Sequence, residues 1–435
     1  MWSNYVLILK IYPSKINGVI SVPQSKSYTH RAIILSSISE GTSVINNPLL
    51  SEDTYSTINI CKLLGSKIKN NGSSLEITGS SVLKSPKKIL DVHNSGTTLR
   101  LITGISSLIP NGDVTITGDN SIKKRPMGPL LNSLNELGVK CTSVNSNNCA
   151  PINVKGGGIL GGSTEILGNI SSQFISSLLI CSTKFNEDVT IKVKNTLVSA
   201  PYVDITLKLL NLFGYKFKND QYTSFTIPSQ QVSTGTSIDV PGDFSSAAIL
   251  IGLAILNNGT LKLTNLNFSL PQADKKIISI VKLLGANIDV DEKAGSITIS
   301  NNDLISGGDF HLSDAPDLFP IVSMLALKSK TPVKITGVAH TRFKESNRIS
   351  AILNELKKFG CEVNELDDGI VITPTNSLST VTLNSFGDHR LFMSLVAAAL
   401  STEKICLIDG LEHVNISYPN FLVDLKKIGV KFEVK

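Results

Sequence analysis

Basic side chains in this sequence recur where the chain would enter a helix, each beside small polar residues that leave the backbone open. Lys26 lies between Ser25 and Ser27, with Arg31 roughly one helical turn further on. Asn94-Ser-Gly-Thr97 followed by Arg100 joins a small turn to a helix, a form that lets peptide N–H groups approach a phosphate or carboxylate. Lys123, Lys124 and Arg125 make a basic loop whose angle Pro126 sets, and Ser171, Ser172 and Gln173 make another polar helix start. Late in the chain, Lys344, Glu345 and Arg348 are interleaved, and Asp388, His389 and Arg390 follow Gly387. Cations at helix mouths bind anions, and carboxyls among them are suited to proton transfer. Singly, each motif has an ordinary reading: a capped helix, a solvated ion-pair face, a histidine in a structural hydrogen bond, a buried supporting Arg100. Five of them at equivalent places of one repeating pattern point to a site.

That pattern is a helix end closed by glycine, found at Gly65, Gly138, Gly214, Gly285, Gly360 and Gly429, with intervals of 73, 76, 71, 75 and 69 residues. Upstream of each lies a polar or acidic helix start, at Lys26, Gly96, Ser172, Phe244, Asp317 and Asp388, and the offsets to the glycines are 39, 42, 42, 41, 43 and 41. Each unit therefore reads as an N-capped helix, then a second helix ended by glycine, with β segments such as Val114–Thr117 and Leu261–Thr264 between them. The sequence predicts an α/β protein of six βαβαββ units.

Composition narrows the function. At 435 residues and 41% hydrophobic the chain exceeds one core, so two domains are expected. With 6% aromatics and a single tryptophan, Trp2, a base-stacking nucleic-acid surface has little to build on. A net charge of +6 is modest for this length, so anion attraction must come from where the cations cluster. The six cysteines form no C-x-x-C pair and read as reduced thiols of a cytoplasmic protein; no His/Cys spacing suits a metal. The apolar run Tyr5 to Ile11 is too short for a membrane span and reads as an opening strand.

With these motifs in order along essentially the whole chain, together with Ser199-Ala-Pro-Tyr202 and Pro241-Gly-Asp243, the sequence resembles the 5-enolpyruvylshikimate-3-phosphate (EPSP) synthase family. The resemblance implies two domains, each of three units around a pseudo-threefold axis, the inside-out α/β barrel of enolpyruvyl transferases. Residues 21–242 would form the continuous domain, and residues 1–20 with 243–435 the other, with the active site in the cleft between them. It implies transfer of the carboxyvinyl group of phosphoenolpyruvate to shikimate 3-phosphate, with no cofactor and no metal, by a monomer that binds neither nucleic acid nor membrane.

Carried over by matched position, Lys26, Ser27, Arg31, Ser171, Ser172, Gln173, Ser199, Asp317, His340 and Lys344 should hold shikimate 3-phosphate. Lys26, Asn94, Gly96, Arg125, Gln173, Arg348 and Arg390 should hold phosphoenolpyruvate. Asp317 is the expected base, Glu345 the expected acid with a pKa raised by burial, and Lys26 an aid to phosphate departure. Four positions depart from the family's pattern: Gln24 for Gly, Asn347 for Asp, His340 for another polar contact, and Ile416 for a lysine that touches phosphoenolpyruvate. Loss of that lysine weakens anion binding unless another cation fills in. The sister transferase acting on a UDP-N-acetyl sugar carries a cysteine on the loop matching Thr117 to Met127 and reads Ala-Lys-Asn at the first motif; neither is present here. A rival of another kind is an anion-binding protein without turnover, against which the retained Lys26, Asp317 and Glu345 speak.

Overall fold

A computed structural model describes residues 7–80, 82–301, 303–375, 381–402 and 404–435; Trp2, Tyr5 and Val6 lie outside the described residues. The chain divides into two compact units, Gln24–Pro241 and Met1–Pro23 with Gly242–Lys435.

Among the described residues, six four-stranded sheets share one plan, in which a parallel pair is followed by two antiparallel neighbours. Gly162–Leu167 pairs in parallel with Val189–Lys194, which pairs antiparallel with Ser224–Ile227, which pairs antiparallel with Lys218–Asp220. A helix follows each of the first two strands, Ser172–Ser182 and then Ala200–Leu212, so this unit reads βαβαββ as the sequence predicts. Three sheets borrow a strand from a distant part of the chain: Ser237–Asp239 completes the sheet of Thr42–Asn46, Asn17–Ser21 that of Thr260–Thr264, and Ile8–Tyr12 that of Cys406–Asp409. The expected opening strand is this last one, among the described residues.

Alternation sets the sheet faces. In Thr260–Thr264, Leu261 and Leu263 are fully buried while their neighbours are not, which puts one face on a core and leaves the other to water. The first helix of each unit is instead buried nearly all round; every residue of Phe244–Leu256 is buried and most are apolar, so these helices run through the cores. All six repeat glycines have positive φ, from 79° at Gly214 to 115° at Gly65, the left-handed backbone that a β-carbon disfavours.

Two expectations need correction. Ser95, Ser171, Asp243 and Asp388 cap their helices through the side chain, but Ser25 makes no such bond. In the fifth unit, Pro316 and Pro320 break the entry into a 3-10 turn, Pro316–Leu318, before the helix Phe319–Leu325, and the N-cap positions fall to Ala315 and Leu318, with Asp317 inside the turn. The segment around Lys123 is also less open than a basic loop: Ile122–Lys124 is a 3-10 turn and Arg125 is buried.

Among the described residues no helix is long and apolar enough to cross a membrane, and no group of three or more His, Cys, Asp or Glu is arranged to hold a metal. The six cysteines are free and five are buried. Burial pushes the thiols of Cys61, Cys141 and Cys181 up to about 12, which keeps them protonated.

Candidate active-site residues

In the unit Gln24–Pro241 the helix starts gather cations. Lys26 is the first residue of Lys26–Ile38, and its Nζ donates to Asp53 Oδ2 at 2.8 Å. Gly96 begins Gly96–Ser106, and a β-carbon there would stand 2.3 Å from Arg125 Nη1 and 3.3 Å from Arg100 Nη1. Two guanidiniums thus crowd a backbone that only glycine leaves open. Arg100 Nη1 donates to Gln173 Oε1 at 2.7 Å, and Gln173 Nε2 donates to Thr97 Oγ1 at 3.1 Å. Because arginine can only donate, the amide orientation is fixed by chemistry, and one Gln173 N–H goes to Thr97. Ser171 caps the helix that Ser172 begins, and Ser199, at φ 58°, precedes Ala200–Leu212. Asn94 Nδ2 donates to Asp119 Oδ2 at 2.7 Å.

Arg31 lies one turn further into the same helix as Lys26. Its guanidinium is buried and turns toward two other helices, with Nε on Thr206 Oγ1 at 2.7 Å and Nη1 on the Ser27 carbonyl at 2.9 Å. Nη2 reaches Ser176 Oγ and the Tyr202 carbonyl, both at 3.3 Å.

The second unit holds the carboxyls. Arg348, the first residue of Arg348–Lys358, is 1% exposed and spans three of them. Nε meets Asp388 Oδ2 at 2.7 Å, Nη1 meets Asp317 Oδ1 at 2.9 Å, and Nη2 meets Glu345 Oε2 at 3.1 Å. Burial alone would lower its pKa, but Asp388, Glu345 and Asp317 together raise it. Arg390 Nη2 holds the other Asp317 oxygen at 2.9 Å. Burial pushes Asp317 up, yet Arg390, Lys344 and Arg348 outweigh it and hold the carboxyl far below the usual carboxylate range. His340 is driven down as well, by burial and Lys344 against Asp317, to about 3, so it is neutral at ordinary pH. Asp388 does two jobs, since its Oδ1 also caps His389–Leu400 by accepting from the Arg390 and Leu391 N–H groups.

The structure therefore brings Asp317, Glu345, Arg348 and Arg390 into one bonded cluster with Lys344 and His340 in its field, and Gly96, Arg125 and Gln173 into another through Arg100. Lys26, Asn94 and Arg31 each have separate anchors. Of the departures, Asn347 caps Arg348–Lys358 by accepting from the Ser350 N–H, and Ile416 is buried in the 3-10 turn Leu411–Ile416. Sequence reasoning overlooked Asp53, the bridging role of Asp388, and Asp274. Burial first, then the like charge of Asp317, pushes Asp274 up to about 6, while Ser245 Oγ donates to it. Asp53 and Asp274 sit at the starts of second helices, and the polar helix-start pattern was read only at the first helices.

An α/β fold of six like units, with paired carboxyls beside arginines in one unit and guanidiniums around an open helix start in the other, defines a class: an enzyme that handles several anionic groups and moves protons. The family model for EPSP synthase (3-phosphoshikimate 1-carboxyvinyltransferase) matches residues 11–425. A 3-phosphoshikimate 1-carboxyvinyltransferase of Methanocaldococcus jannaschii is 41% identical over 433 residues, covering 99% of this chain and all of that protein. One from Nitrosopumilus maritimus is 38% identical over 431 residues, covering 98% and 99%. A solved EPSP synthase from Acinetobacter baumannii superposes with a TM-score of 0.83 at 27% identity, covering 99% of this chain and all of that one. The chain belongs to the EPSP synthase family.

Proposed function

We propose that this chain transfers the carboxyvinyl group of phosphoenolpyruvate to the 5-hydroxyl of shikimate 3-phosphate, releasing phosphate, as a step of aromatic amino acid biosynthesis. It acts as a cytoplasmic monomer. The observation that supports this most directly is Asp317, a carboxylate kept ionised between Arg348 and Arg390 with Glu345 on the same guanidinium.

In this reading Asp317 accepts the proton of the 5-hydroxyl while Glu345 gives one to the methylene carbon of phosphoenolpyruvate. The new C–O bond forms a tetrahedral intermediate. Glu345 then takes a proton back from the new methyl group as the carbon–oxygen bond to phosphate breaks, the proton held by Asp317 leaves with the phosphate, and Lys26 neutralises the departing group. Gly96, Arg125, Gln173, Asn94, Arg348 and Arg390 hold phosphoenolpyruvate. Ser27, Arg31, Ser171, Ser172, Gln173, Ser199, His340 and Lys344 hold the shikimate ester. Fork-shaped guanidiniums suit two substrates that each carry a phosphate and a carboxylate.

Phosphate release from phosphoenolpyruvate is the test, with shikimate 3-phosphate as acceptor beside a UDP-N-acetyl sugar. Release with the shikimate ester alone is expected. Release only with the sugar, or with neither, would overturn the reading.

A further inference from the structure

We propose that Thr206 and Ser176 are positioning residues that hold the buried Arg31 guanidinium with neutral groups only, leaving its charge for an anionic substrate at the mouth of its helix. The proposal rests on the functional reading above for the identity of that substrate, the shikimate ester, but not for its charge.

The two most deeply buried arginines among the described residues are treated in opposite ways. Arg348 is spanned by Asp388, Asp317 and Glu345, so its charge is met by protein carboxylates. Arg31 is as deeply buried, yet its four protein acceptors are the Thr206 and Ser176 hydroxyls and the Ser27 and Tyr202 carbonyls. Asp204, on the same helix as Thr206, instead accepts from the Tyr222 hydroxyl at 2.7 Å. A guanidinium has five N–H groups, so one Nη1–H remains beyond these four bonds.

Burying a charge without a counter-ion is unfavourable, and the structure registers it: burial pushes Arg31 down to about 10, with the tyrosines Tyr202 and Tyr28 only partly offsetting this. The group stays charged at neutral pH and gains from an arriving anion what Arg348 already gains from its carboxylates. The geometry is held from two other helices. Thr206 Oγ1 accepts from Nε and donates to Ser176 Oγ at 2.8 Å, so the two hydroxyls act as one bracket from helices Ala200–Leu212 and Ser172–Ser182. Both side chains are fully buried. Ser27, whose carbonyl takes Nη1, lies in the first turn of the helix, so the charge and the helix start are tied together.

The test compares wild type with Thr206→Val, Thr206→Ser and Ser176→Asp by the rise in Tm with increasing inorganic phosphate, shikimate 3-phosphate or phosphoenolpyruvate. Ser176→Asp gives Arg31 the counter-ion it lacks; in folded protein it should weaken shikimate 3-phosphate binding about a hundredfold and leave phosphoenolpyruvate within about threefold. Thr206→Val should weaken the same ligand about tenfold, and Thr206→Ser should restore it. A folded Ser176→Asp protein with wild-type affinity overturns the proposal. So does a Thr206→Val protein within twofold of wild type, which decides the matter alone where Ser176→Asp does not fold. Wild type that responds to phosphate but not to the shikimate ester refutes the substrate assignment; loss of that phosphate response in the two variants would still support the bracket. Wild type that responds to no anion refutes both.

Discussion

Replacing Asp388 should disturb the carboxyl cluster more than replacing any residue that touches substrate. Asp388 is fully buried, bonds Arg348 through both oxygens, at 2.7 and 3.3 Å, and caps the next helix at 2.9 Å through the Arg390 N–H. Removing one partner of a buried pair destabilises by about 3–5 kcal/mol, because the remaining charge is left without its counter-ion. Here Arg348 keeps Asp317 and Glu345, so the low end, about 3 kcal/mol, applies to Asp388→Asn, whose amide oxygen still caps the helix. Asp388→Ala also loses the cap, adding about 1 kcal/mol. For a unit of about 200 residues, each kcal/mol moves Tm by roughly 2–4 °C, so Asp388→Asn should fall by about 6–12 °C and Asp388→Ala further. Calorimetry measures both. With an amide nitrogen facing Arg348 in the Asp388→Asn variant, the guanidinium shifts toward Asp317 and Glu345, so turnover of that folded variant at about 25 °C should fall at least about tenfold. An Asp388→Asn protein with wild-type Tm and turnover would refute the assignment of Asp388 as the anchor of Arg348.

Burial and Lys344 hold His340 near 3, against an ordinary value of 6.5, so the unfolded chain binds its proton first as pH falls. Its contribution to stability is complete above about 6.5 and declines by about 1.4 kcal/mol per pH unit below that. Wild type should therefore lose more Tm between about pH 7 and pH 5 than His340→Asn, and equal losses would count against it. Gly96→Ala places a methyl 2.3 Å from Arg125 Nη1, the end of a flexible side chain, so the fold should survive while KM for phosphoenolpyruvate rises about tenfold; an unchanged KM would show that Arg125 moves aside freely. Lys26→Ala and Glu345→Ala should fold, as shown by Tm, and lose turnover, and a near-wild-type rate in either would remove that residue from the mechanism.

Much of the fold is legible in the sequence because its signals are local. A glycine ending a helix, such as Gly360 after Lys357 and Lys358, is a statement about one turn of backbone, and all six proved to have positive φ. The strand exchanges are not local. Nothing in Asn17–Ser21 states that it pairs with Thr260–Thr264, because register follows from which face is buried, and that is settled only when distant segments of the chain come together. Caps failed where another force prevailed: in the fifth unit two prolines set the backbone, and the acidic residue that looks like a cap, Asp317, is held by arginines 31 and 73 residues further along.

The site was legible in its charges and hidden in its neutral parts. Lysine, arginine and paired carboxyls stand out in a chain that is only 17% charged, so the motifs around Lys26, Arg125, Lys344 and Arg390 could be read directly. What decides whether a buried arginine serves the protein or the ligand is the charge of its partners, and these lie far off in sequence: Asp388 is 40 residues from Arg348, and Thr206 is 175 from Arg31. A threonine in a helix has no feature marking it as one side of a guanidinium bracket. It becomes informative only beside the contrast with Arg348, because a fold that can supply three carboxylates to one buried arginine and none to another has kept the second charge in reserve.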